Sequence, residues 1–124
     1  MNDTAPAGTR DAFDSGCPSR TILNHVASRW GTLILTGLLE GPQRFHVIRD
    51  RVDGISEKML SQNLRVLAFD GLVAREVEPS SPPKVTYSLT PLGTELAGHM
   101  SSLLGWITLR TDEILAAQER HGEG

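Results

Sequence analysis

Residues 56–93 read SEKMLSQNLRVLAFDGLVAREVEPSSPPKVTYSLTPLG, and the spacing of apolar residues changes twice along this stretch. Three leucines first recur at intervals of four and three residues, which predicts a helix with one apolar face, and Ser56 can cap its first turn. Apolar and polar residues then alternate through 72–77 and 85–89, which predicts two strands joined by a proline-containing loop. Pro91 favours the start of a further helix. The stretch therefore predicts a helix, a β-hairpin and a second helix.

Three more helices are predicted upstream of this stretch. The first begins near Pro18, and the second covers about residues 30–40, which are apolar nearly all round and end at a Gly-Pro pair. The third covers about residues 45–52 and ends before Gly54, where glycine permits a tight exit from a helix. Two helices that meet at a glycine turn and precede a hairpin form a winged helix-turn-helix. The predicted fold is mainly α with a small β-hairpin and a long C-terminal helix.

Apolar residues in the C-terminal helix predict a dimer interface. Met100, Ile107 and Ile114 are seven residues apart, and Leu96 and Leu103 extend the series to a seam of ~27 Å along the helix. A monomer of this size cannot cover such a seam. We therefore expect the last helix and the first, through Ile22, to form a homodimer.

Length and composition limit the classes of protein to be considered. The chain has 124 residues, which fits one domain, predicted at 17–119 between a flexible arm at 1–16 and a frayed tail at 120–124. No apolar run approaches the ~20 residues of a membrane span, and the N-terminal residues lack the pattern of a secretory signal, so we expect a cytoplasmic protein without a membrane partner. The single cysteine fits a reducing compartment, and the four histidines show no metal-ligand spacing. We expect neither a metal nor a cofactor.

The charge is distributed unevenly along the chain. The net charge is −3, yet residues 43–84 carry seven basic and six acidic side chains, while the rest carries five and nine. The middle of the chain is therefore the part that can approach an anion such as DNA.

The fourth predicted helix carries hydrogen-bond donors on the face opposite its leucines. A major groove admits one α-helix, and base edges there are read by donors on one exposed face. The alternative interpretation is that these polar residues simply face solvent, as on most surface helices. The order of the predicted elements favours DNA binding over this alternative. The predicted DNA-binding residues are Ser56, Lys58, Ser61, Gln62 and Arg65, with Lys84 at the tip of the hairpin placed to reach the flanking backbone or minor groove.

Several strings within residues 17–106 resemble the HxlR-type transcriptional regulators, which are related to the MarR-like winged-helix proteins. They are RWGTLIL (29–35), GPQRFHVIRDRVDGIS (41–56), KMLSQNLRVL (58–67), DGLV (70–73) and, most specifically, PPKVTYSLTPLG (82–93). The resemblance implies a homodimer that binds a palindromic double-stranded DNA operator, with one recognition helix in each major groove. The chain departs from the pattern at residues 27–29, where members often have two glycines and a lysine, and at Asn63, where they often have arginine.

Two kinds of switch are considered. Cys17 lies at a helix N-terminus with Arg20 nearby, which favours the thiolate, and the resemblance implies that some relatives sense oxidants or electrophiles through the matching cysteine. The alternative is a cysteine that packs as a small apolar residue. A small-molecule effector is the other switch, in an apolar pocket for which the candidates are Trp30, Phe45, Met100 and Trp106. These four are otherwise core residues.

The leading hypothesis is a sequence-specific DNA-binding transcriptional regulator, either a repressor or an activator, with a repressor favoured. An enzyme is disfavoured, because Cys17 with His25 or His46 would lack a third orienting group and an oxyanion-binding loop. A winged helix used only for protein contact is the other alternative, and its recognition face should be apolar rather than rich in donors.

Overall fold

A computed structural model describes residues 11–122 and confirms the predicted order of elements. The helices are α1 (Pro18–Val26), α2 (Arg29–Gly37), α3 (Phe45–Arg51), α4 (Glu57–Phe69) and α5 (Pro91–Gly122), and the strands are β1 (Gln43–Arg44), β2 (Val73–Glu78) and β3 (Lys84–Leu89). A short 3₁₀ turn, Leu38–Glu40, follows α2. Residues 1–10 of the expected arm and 123–124 of the expected tail lie outside the described residues. Residues 120–122, also expected to fray, are helical, because α5 continues to Gly122.

Local interactions explain where the helix-turn-helix begins and ends. The Ser56 hydroxyl accepts a hydrogen bond of 3.0 Å from the Met59 N–H, which confirms the predicted cap of α4. Gly54, between α3 and α4, has φ of 89°, in the left-handed region that favours glycine. The turn between the two helices is therefore encoded by a glycine and a capping serine.

The sheet has three antiparallel strands in the order β1-β3-β2, not the two of the predicted hairpin. Tyr87 of β3 lies between Gln43 of β1 and Arg75 of β2. The additional strand has only two residues, which is too short to show the alternation that identifies a strand in a sequence. It joins the start of α3 to the wing.

The core lies between α2, α3 and α4 and is closed by the sheet and the start of α5. Leu60, Leu64 and Leu67 are almost completely buried, as their spacing predicts. They pack with the buried side chains Val26, Ile34, Leu35, Leu38, Ile48, Val52, Ile55, Leu72, Val73 and Ala97. The apolar face of α4 is thereby fixed inward, and its polar face is turned outward.

The junction between α4, the wing and α5 depends on a close backbone contact. The Thr90 hydroxyl donates to the Gly71 carbonyl at 2.7 Å and accepts from the Gly93 N–H at 3.0 Å. A Cβ atom on Gly93 would lie 1.9 Å from the Leu72 carbonyl oxygen. Glycine is therefore required where α5 crosses the start of the wing. Within residues 11–122, no helix is both long and apolar enough to cross a bilayer.

Candidate DNA-binding surface and its surroundings

The outward face of α4 presents a row of hydrogen-bond donors. Lys58, Gln62 and Arg65 are exposed and lie opposite the buried leucines, and Ser61 is half-buried on the flank of the same face. Ser56 uses its hydroxyl to cap the helix. The structure therefore brings the five predicted residues of α4 and its cap together on one surface.

The wing carries Lys84 in a different place from the one expected. Lys84 is the first residue of β3, and it is paired in register with Glu78 of β2. The tip of the wing is formed instead by residues 79–83. Lys84 is exposed, so its ammonium group is free to reach beyond the sheet, but it starts from the base of the tip and not from the tip itself.

Two side chains near the start of α4 are held by the protein itself. Arg49 of α3 donates to the Glu57 carboxylate at 2.7 Å and to Asp50 at 3.3 Å, and these hydrogen bonds raise the pKa of the Arg49 guanidinium. The Asn63 amide donates to the Met59 carbonyl at 2.9 Å. Asn63, one of the departures from the family pattern, is thus tied to the backbone of its own helix.

An apolar face extends along α1 and α5. Its exposed members are Ile22, Leu92, Leu103, Trp106, Ile107 and Ile114, and we call this set the partner face. Sequence reasoning missed Leu92 and assigned Trp106 to a pocket. Leu96 and Met100, also expected on this face, are partly buried against the core, and Leu96 in addition lines a groove with Ile22 and Leu92. Met100 is turned toward α2, where the Thr32 hydroxyl lies 3.9 Å from its sulfur.

Within residues 11–122, the four candidate pocket residues lie in different environments. Trp30, Phe45 and Met100 pack against the core from three different helices, and Trp106 lies exposed on the partner face. The sequence marked these residues only by their large apolar side chains, and for Trp30, Phe45 and Met100 packing against the core accounts for that property.

Cys17 occupies the N-cap position of α1 and is partly exposed. The backbone amide of Ser19, followed by its hydroxyl and by the backbone of Asp11, lowers the pKa of the Cys17 thiol. Arg20 was expected to favour the thiolate, but its guanidinium donates to the carbonyls of Ala12 and Phe13 at 2.6 and 2.8 Å. The thiolate is thus favoured by the start of the helix rather than by a neighbouring cation.

A part-buried contact connects α1 with α4. Nδ1 of His25, near the end of α1, lies 2.6 Å from a carboxylate oxygen of Asp70, whose side chain is only 10% exposed. Asp70 is the C-cap residue of α4. Sequence reasoning missed this contact, because nothing local links two residues 45 positions apart.

These features together define a winged helix-turn-helix protein of the kind that regulates transcription. The family described as HxlR-like helix-turn-helix matches residues 25–114. The HTH-type transcriptional regulator YtfH of Escherichia coli K12 is 48% identical over 107 residues, which cover 86% of this chain and 85% of that protein. The chain therefore belongs to the HxlR-like family and is a transcriptional regulator with a helix-turn-helix domain.

Solved structures show the same fold. The transcriptional regulator ytfH of Salmonella typhimurium has a TM-score of 0.85 and 45% identity, with 89% of this chain and 98% of that chain covered. The redox regulator HypR in its oxidised form has a TM-score of 0.68 and 34% identity, with 74% of this chain and 95% of that chain covered. Cys17 lies before the residues 25–114 that match the family.

Proposed function

We propose that this protein is a homodimeric repressor that binds a palindromic operator in double-stranded DNA through α4. The observation that carries the proposal is the set of exposed donors Lys58, Gln62 and Arg65 on the outward face of a helix whose opposite face is locked into the core. A helix of this kind fits the major groove, where Gln and Arg side chains distinguish base pairs by paired hydrogen bonds.

The wing adds contacts that do not depend on base sequence. Lys84 is exposed and can meet a phosphate beside the groove. Lys84→Ala is therefore expected to weaken binding to all DNA sequences by a similar factor and to reduce the dependence of affinity on salt.

Dimerisation makes the proposed binding site two-fold symmetric. The partner face exposes large apolar side chains from both α1 and α5, a combination that commonly marks a protein interface. Two recognition helices must be ~34–36 Å apart to enter successive major grooves, so the geometry of this interface determines the spacing of the half-sites.

Chemical modification of Cys17 is the proposed signal. The thiol is partly exposed, and its pKa is lowered by the start of α1, so the reactive thiolate is favoured. Similarity to the redox regulator HypR supports this choice. Because the chain has one cysteine, the products are an intersubunit disulfide, a mixed disulfide with a small thiol, or an alkylated sulfur.

A footprint on DNA upstream of the protein's own gene and its neighbours tests the proposal. We expect a short protected site with dyad symmetry, which diamide or a quinone abolishes for the wild type but not for Cys17→Ser. Protection without symmetry would contradict the dimer, and equal responses of the two proteins would exclude Cys17 as the sensor. Absence of any sequence-specific protection, on these regions and on random-sequence libraries, would contradict the DNA-binding proposal.

A further inference from the structure

A cleft of about 570 Å³ lies between the C-terminal ends of α2 and α3 and one side of α5. Its volume is within the range of sites that bind small molecules. Leu33, Leu39, Val52 and Leu104 supply apolar walls. None of the four residues expected from the sequence to line a pocket contributes to it.

The cleft and the partner face are on different sides of α5. Each helical residue turns the chain by ~100°, so Ser101, which lines the cleft, lies ~160° round the helix from Leu103 of the partner face. A second copy that covers the partner face would therefore leave the cleft open.

The charges around the cleft favour a cation. Arg51 at the end of α3 forms an ion pair with Glu40, so these two charges offset each other. Asp53 also lines the cleft, and its carboxylate has no hydrogen bond or ion pair within residues 11–122. The ends of α2 and α3 add the negative poles of two helix dipoles. The local charge is thus close to −1 beside apolar walls.

We propose that this cleft binds a small apolar molecule with one positive charge, whose apolar part contacts Leu33, Leu39 and Leu104 and whose cationic group lies near Asp53. The cleft joins α3 of the helix-turn-helix to the long helix α5, so an occupant contacts both the DNA-binding part and the helix that carries the partner face. Occupancy lowers the affinity for DNA. This consequence rests on the proposed function, whereas the binding itself does not.

Tetraphenylphosphonium and tetraphenylborate provide a pair of probes that have nearly the same shape and opposite charge. Equilibrium dialysis of the full-length protein is expected to show at least about tenfold tighter binding of the phosphonium ion. Asp53→Asn should weaken that binding about fivefold, whereas Asp112→Asn, at an exposed position of α5 about 16 Å along the helix beyond Ser101, makes the same change in net charge and should leave it unchanged.

Filling the cleft tests its location. Ser101 is exposed, so Ser101→Trp can fill the cleft without disturbing the core, and it should abolish phosphonium binding. The matched control is Ser102→Trp, one residue further along α5 and outside the cleft. Equal binding of the two probes, equal effects of the two Asp→Asn changes, or full binding by Ser101→Trp would each overturn the proposed site.

The coupling is tested separately by measuring operator affinity at saturating phosphonium. We expect a loss of about tenfold for the wild type and for Ser102→Trp, and no loss for Ser101→Trp. Binding of the probe without any change in operator affinity would overturn the coupling alone. A protein that binds the probe but no DNA under any condition would overturn the proposed function and the coupling, while the cation site would stand.

Discussion

Leu103→Asp is expected to convert the proposed dimer into monomers. Leu103 lies on the partner face of α5 and is 50% exposed in the single chain. Complete burial of a leucine stabilises by ~1.5–3 kcal/mol, so covering the exposed half contributes ~1 kcal/mol per subunit. Two-fold symmetry makes each substitution count twice, which brings the lost burial to ~2 kcal/mol. Each unpaired carboxylate at an apolar interface adds at least ~1 kcal/mol.

The total is at least ~4 kcal/mol, which corresponds to a roughly thousandfold increase in the dissociation constant of the dimer. Sedimentation equilibrium over nanomolar to micromolar concentrations measures this change directly. The monomer should keep its fold, because a half-exposed side chain contributes little to the core, and thermal unfolding of the variant checks this point. Loss of cooperative operator binding should accompany the loss of the dimer.

Leu109→Asp is the matched control on the same helix. Leu109 is 75% exposed and lies ~120° round α5 from Leu103, outside the partner face. The Leu109→Asp variant should therefore remain dimeric. A wild-type protein that is monomeric at micromolar concentration but binds DNA tightly, or a Leu109 variant that dissociates as readily as the Leu103 variant, would refute the reasoning.

Three further predictions concern other parts of the molecule. Gln62→Ala and Arg65→Ala should each cost ~1–3 kcal/mol in operator affinity in a gel-shift titration, and unchanged binding by the double variant would place the DNA elsewhere. Gly93→Ala should lower the free energy of unfolding by more than ~3 kcal/mol in urea, because its Cβ would overlap a backbone carbonyl, whereas Gly98→Ala, with open space around it, should be neutral or stabilising by up to ~1 kcal/mol. The rate of Cys17 alkylation rises with pH as the thiolate forms, and the midpoint of this rise should lie at a lower pH in the folded protein than in urea, because folding lowers the pKa of the thiol. Identical pH profiles in the two states would contradict this.

The parts of the fold that the sequence predicts are those determined locally. The spacing of Leu60, Leu64 and Leu67 and the cap at Ser56 identify α4 and its buried face, so the polar residues on the other face follow directly. The partner face was predicted less well, because a seven-residue spacing does not say which of two neighbouring stripes packs on the helix's own core. Met100 belongs to the inner stripe and Leu103 to the outer one, and only the contact of α5 with α2 distinguishes them.

Features that join distant segments could not be predicted. The cleft is lined by residues from the ends of α2 and α3 and from α5, and these residues share no spacing in the sequence. The wrong environment was assigned to Cys17 for a similar reason. Arg20 is three residues away in the sequence, yet its guanidinium bonds to the chain that precedes the helix, and only the folded turn reveals this.

The short helix α1 links the three features on which the proposed regulation depends. Cys17 occupies the N-cap position at its start, Ile22 lies on its exposed side within the partner face, and His25 near its end contacts Asp70 at the end of α4. A helix of nine residues is only ~14 Å long and moves as a rigid element, so a displacement at its start is carried to both contacts. The Asp70 carboxylate is only 10% exposed, and separation from His25 would remove this partner, which is unfavourable. The contact between His25 and Asp70 therefore ties α4 to the helix that carries the thiol, and modification of Cys17 has a direct physical route to the surface proposed to read DNA.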